Sequence, residues 1–147
     1  MSAIKRAVIC VAIVLVALAA AGCNSAESPK DIARDNYEKK LTQVSDQQNI
    51  VANDISLART GGNESTMRVV LLTLRSDTLD LVNVTDEADS AGIAYQQYLT
   101  SSDSDYAQIN NNAVALSSYI DSAKSEYNSA AGMYNKYWAG DGELPGM

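Results

Sequence analysis

The chain has 147 residues, a net charge of −7 from 11 basic and 18 acidic side chains, two cysteines, and no histidine or phenylalanine. The missing histidine excludes His-ligated haem and zinc, the Ser-His-Asp and Cys-His nucleophilic machineries, and the commonest general base. The acidic balance and the lack of a basic cluster argue against nucleic acid as a partner.

The first predicted element is a targeting segment. Lys5-Arg6 precedes the apolar run Ala7–Ala21, which is shorter than the ~20 apolar residues of a spanning helix. Polar sequence follows at once, Asn24-Ser25-Ala26-Glu27-Ser28-Pro29, completing the grammar of a secretory signal peptide. The small residues Ala20, Ala21 and Gly22 suit a peptidase site, and Cys23 stands directly after them. The stretch Leu15–Cys23, Leu-Val-Ala-Leu-Ala-Ala-Ala-Gly-Cys, resembles a prokaryotic lipoprotein signal peptide, bacterial or archaeal, with its lipobox. It departs from that pattern at Ala20, where the family more often has leucine. The resemblance covers only the first 23 residues. It implies loss of residues 1–22, diacylation of Cys23 on sulfur, and a membrane partner held through that lipid on the extracytoplasmic face. Two acyl chains make a durable anchor where one does not. Other readings of the same residues are an ordinary cleaved signal peptide with a free Cys23 thiol, a short tilted anchor, and an archaeal pilin leader cut near Arg6-Ala7.

Losing Lys5 and Arg6 with the leader leaves 9 basic against 18 acidic residues, a net charge of −9. Cys10 goes with the leader as well, so the remaining domain has no cysteine pair and its core is expected to be aliphatic with tyrosines as its large members. Residues 23–28 are read as a lipidated tether, 29–140 as a helical bundle and 141–147 as a loose tail.

Ser28-Pro29-Lys30-Asp31 is a helix start: an N-cap serine, proline in the first turn and an acid that closes the box. Tyr37, Leu41, Val44, Gln48, Val51, Ile55 and Ala58 then recur at alternating spacings of four and three, the seam of a helix packed at a shallow angle on others. Gly61-Gly62 stops this helix and Asn63 caps the next. The second seam runs Met67, Leu71, Leu74, Thr78, Leu81, Thr85, Ala88, Gly92, Tyr95 and Leu99, and its loss of bulk predicts a kink or break near 83–92. Thr100–Ser104 reads as a turn, and the third seam is Tyr106, Ile109, Ala113, Leu116, Ile120, Ala123, Tyr127, Ala130, Tyr134 and Tyr137. The fold class is all-α: an antiparallel three-helix bundle of long helices with coiled-coil-like seams. Folding the chain at Gly61 leaves the turn between helices two and three overhanging on the membrane side.

Four groups of residues are weighed as sites. Tyr134, Tyr137 and Trp138 form a candidate interaction patch, although closure of the bundle end explains them better. Tyr95, Tyr98 and Tyr106 are candidates for contact with lipid headgroups, with end-of-bundle packing an equal reading. Asp103 and Asp105 lack the glycine and glutamate of a calcium loop and are read as caps in the first turn of helix three, so no metal or other cofactor is expected. Small side chains at Ala88, Gly92 and Ala113 mark where a solute cavity would lie. No carboxylates cluster for acid–base work, and no enzyme activity is expected. The leading expectation is a lipid-anchored cell-envelope module that acts structurally or by binding an envelope protein of unassigned identity. The alternative is a solute-binding bundle.

Overall fold

The computed structural model describes residues 27–138, 140 and 142–147, so Cys23 and the expected leader lie outside the described residues. The Ser28 hydroxyl accepts the Asp31 N–H at 3.2 Å and donates to the Asp31 carboxylate at 2.7 Å, capping α1 (Pro29–Thr60). Pro29 opens the helix where a missing N–H costs nothing. At its other end Gly61 takes φ 76°, a left-handed value that a side chain would resist. Asn63 Oδ1 then accepts the Thr66 N–H at 2.9 Å and starts α2 (Glu64–Gln96). α3 (Ser104–Trp138) follows a short turn.

The described residues form an antiparallel three-helix bundle, the architecture the three seams predict. On α2, Met67, Leu71, Leu74, Thr78, Leu81, Thr85, Ala88, Gly92 and Tyr95 are all buried. The helix runs without interruption through 83–92, where the sequence suggests a kink or break. Loss of bulk there serves close approach. A Cβ on Gly92 would stand 2.9 Å from Ile109 Cγ2 and 3.1 Å from the Tyr37 ring. Of the three helix pairs α1 and α2 pack most closely, while larger side chains from α1 and α3 span the wider gap between those two helices. Asn112 donates to the Tyr37 hydroxyl at 3.1 Å, and the Tyr119 hydroxyl donates to the Gln48 carbonyl at 3.1 Å.

The helices align differently from a fold pivoting at Gly61. Tyr37, two turns into α1, sits against Gly92 and packs beside Tyr95, the two rings tilted at 35° with centroids 6.5 Å apart. Lys30 and Arg34 are therefore close enough to act electrostatically on Asp103 and Tyr95. The start of α1 is level with the α2–α3 turn, and the expected overhang does not exist. The loop through Asn63 adds length to the turn, which slides α2 along α1.

Two seams also drift. Asp54 is buried on α1 and Ile55 only half-buried; on α3, Ala131 replaces Ala130 in the core. On α3, strict 3.5-residue spacing on a helix of 3.6 residues per turn lags a little each heptad and moves the seam one residue on; the shift to Asp54 on α1 runs the other way and has a different origin. Beyond α3, residues 142–147 are not the loose tail their glycines and proline suggest. They fold back along the helix, and Leu144 is only 4% exposed.

Candidate functional site

At the end of the bundle away from Ser28, the seam drift separates the three aromatics. Tyr134 is buried, whereas Tyr137 is 68% exposed and Trp138 40% exposed. Trp138 meets the edge of Tyr134 at 6.1 Å between ring centroids, so it continues the seam that Tyr137 was expected to continue. Tyr137 instead lies on the surface with the Lys136 ammonium 5.0 Å from its ring centre. The exposed part of the patch is thus Tyr137 together with the partly covered Trp138.

At the opposite end the tyrosines also divide. Tyr95 is 2% exposed, packed between α1 and α3, and donates to the Asp105 carboxylate at 2.6 Å. Burial and this carboxylate hold its phenol far above the usual titration range. It is a core residue and does not face a headgroup layer. Tyr98 is exposed and Tyr106 half-buried, so these two keep access to a surface. Asp103 turns away from α3 and accepts the Thr100 N–H at 2.7 Å and the Thr100 hydroxyl at 3.0 Å, contacts that lower its pKa. The two aspartates therefore fasten the turn and a phenol, where caps on free N–H groups of α3 were expected. Among the described residues no three His, Cys, Asp or Glu side chains come together as a metal site.

The small-residue site is closed at Gly92. Ile109 and Tyr37 close over Gly92, Ala88 is fully buried and Ala113 half-buried. An open depression of about 540 Å³ lies nearby between α1 and α2, lined by Asn36, Lys40, Asp86, Glu87, Ser90 and Ala91. Lys40 and Glu87 pair across it at 2.6 Å. Small-molecule sites enclose most of their ligand, and this depression does not.

Two features escape the sequence pattern. Asp54 is 6% exposed on the face of α1 toward α2, and its Oδ2 has no hydrogen-bond partner. Burial first, then the Asp77 carboxyl beside it, raises its pKa to about 6. A polar residue one place from a predicted core isoleucine gives no sign of this beforehand. The second feature is the seat of residues 142–147. Asn135 Oδ1 accepts the Leu144 N–H at 2.7 Å while its Nδ2 donates to the Leu144 carbonyl at 2.9 Å. Asn128 does the same for Met147, at 2.9 and 3.0 Å. Between them the Tyr127 hydroxyl donates to the Pro145 carbonyl at 2.6 Å, and Arg68 donates to the Gly142 carbonyl at 2.6 Å. Burial raises the Tyr127 pKa, which keeps this donor protonated. The available signal was the pair of asparagines one heptad apart, each directly following a seam tyrosine.

No family model matches the chain, and comparison with curated proteins and with solved structures finds no match. Among the described residues no helix is long and apolar enough to cross a membrane.

Proposed function

We propose that the chain is a lipid-anchored cell-envelope protein that acts as a non-catalytic structural or interaction module. The observation that carries this reading is the run from Lys5-Arg6 through Ala20-Ala21-Gly22-Cys23, set five residues before the cap at Ser28. Five residues reach at most ~18 Å. An acylated Cys23 would therefore hold the Ser28 end, with Tyr98 and Tyr106, close to the headgroups. A 32-residue helix spans ~48 Å, so the other end would stand well clear of the membrane. Closely packed seams, with large apolar side chains such as Val69, Ile93 and Val114 left exposed, support a scaffold or binding role.

Crosslinking and co-purification from detergent-solubilised membranes test the reading. The expected result is recovery in the membrane fraction and a discrete crosslinked partner or self-assembly, both lost with Cys23→Ser. Recovery of the native chain in the soluble fraction would contradict it.

A further inference from the structure

Residues 142–147 are held as a bound peptide is held. The segment runs antiparallel to α3, with Leu144 opposite Asn135 and Met147 opposite Asn128. The two asparagines are seven residues apart, ~10.5 Å along a helix. Leu144 and Met147 are three residues apart, ~10 Å in an extended chain. Each asparagine side chain therefore meets both main-chain groups of one residue, as a neighbouring strand would. Pro145, which has no N–H to satisfy, falls between the clamps, and its carbonyl takes the Tyr127 proton. The Leu144 side chain is the apolar anchor. Every polar contact but that of Arg68 comes from α3, and all of them read main chain. They set the path of the segment, the buried Leu144 side chain sets its apolar residue, and neither requires that the segment belong to the same molecule.

We propose that this α3 groove is a peptide-binding site in its own right, filled by the molecule's own 142–147 segment and able to take the same segment from a second copy of the chain. The reversal that returns the segment passes through Gly142 at φ 97°, a conformation that favours glycine. Exchange of an identical element between copies is a low-cost route to a dimer. Copies anchored in one membrane would carry their grooves at equal height. That geometry rests on the anchored reading, whereas the groove itself does not.

Complementation between two full-length variants tests the proposal. Leu144→Asp disables the segment and leaves the groove intact. Asn128→Ala with Asn135→Ala disables the groove and leaves the segment intact. Each variant alone is expected to be monomeric by analytical ultracentrifugation, and the mixture is expected to form a one-to-one complex. An N-acetylated, C-amidated Gly-Glu-Leu-Pro-Gly-Met peptide should bind the Leu144→Asp variant with a dissociation constant on the order of 0.1–1 mM, below the millimolar effective concentration of a short tether. The same peptide with aspartate for leucine should bind at least about tenfold more weakly. Should the double asparagine variant fail to fold by circular dichroism, the peptide titration decides alone. No complex in the mixture together with no saturable peptide binding would overturn the proposal. Neither measurement involves Cys23, so its outcome is independent of the lipid anchor.

Discussion

Asp54 sets a pH dependence whose sign is shared by Asp89, where burial and then Asp86 also raise the pKa. The Asp54 pKa, about 6 in the fold, is above the ordinary aspartate value of 3.8, so the folded state binds a proton more tightly than the unfolded chain does. The stabilisation that comes with that proton is complete below about pH 4 and is lost as pH rises through about 6. The α3 stretch at this height carries Asp121, exposed, and Lys124, half-buried; Glu126 is occupied by Arg59. None of them is among the causes of the shift, which are burial and Asp77 on α2. Melting wild type and Asp54→Asn between pH 4.5 and 7.5 should show the variant gaining stability over wild type as pH rises, by ~1–3 kcal/mol at pH 7.5. Parallel profiles would remove the raised pKa of Asp54 from the account. Asp31 and Asp103 have the opposite sign, with pKa values lowered by their hydrogen bonds, and their contribution fades only in stronger acid. Gly92 is a second decisive residue. Its replacement by alanine puts a methyl group against Ile109 and the Tyr37 ring, and overpacking of this kind costs ~1–3 kcal/mol in a chemical denaturation curve. An unchanged midpoint would mean that the α1–α2–α3 contact at this height is looser than the distances imply.

Each helix owes its place to a seam and its ends to caps, and the two can be tested separately. Leu116 and Ile120 are buried on α3, and truncating either to alanine should cost ~2–5 kcal/mol. Ser118 faces solvent between them, and Ser118→Ala should cost ~0.5 kcal/mol or less. Thermal melts that rank Ser118 as the most sensitive would displace the register. At the start of α2, Asn63→Ala removes the Thr66 cap and should cost ~1 kcal/mol. These elements are legible in the sequence because apolar spacing and cap chemistry are local properties. What is not legible is long-range. The sliding of α2 along α1, which buries Tyr95 and removes the overhang, depends on the loop at Gly61–Asn63 and on how closely Gly92 lets helices approach. The seating of residues 142–147 depends on Asn128 and Asn135, whose amides read as plain surface until the returning segment supplies their partners. The shift from Tyr137 to Trp138 arises from a small angular error per heptad that becomes visible only at the far end of α3.

At the scale of the whole molecule, the bundle has two unlike ends. The Ser28 end carries the turn fastened by Asp103, with Tyr98 and Tyr106 near it, and lies within a short tether of Cys23. The other end carries the exposed Tyr137 and Trp138 and the groove filled by residues 142–147. A module anchored at the first end would present the second to its surroundings, which is where the exchangeable segment sits. The account rests on the chemistry at Cys23, and intact mass spectrometry of the chain isolated from its native membrane tests it most directly. The predicted result is a polypeptide beginning at Cys23 and heavier than its sequence by two acyl chains with their glycerol, with that increment absent in Cys23→Ser. A mature chain with an unmodified Cys23, or one retaining Met1–Gly22, would contradict the lipid-anchored reading.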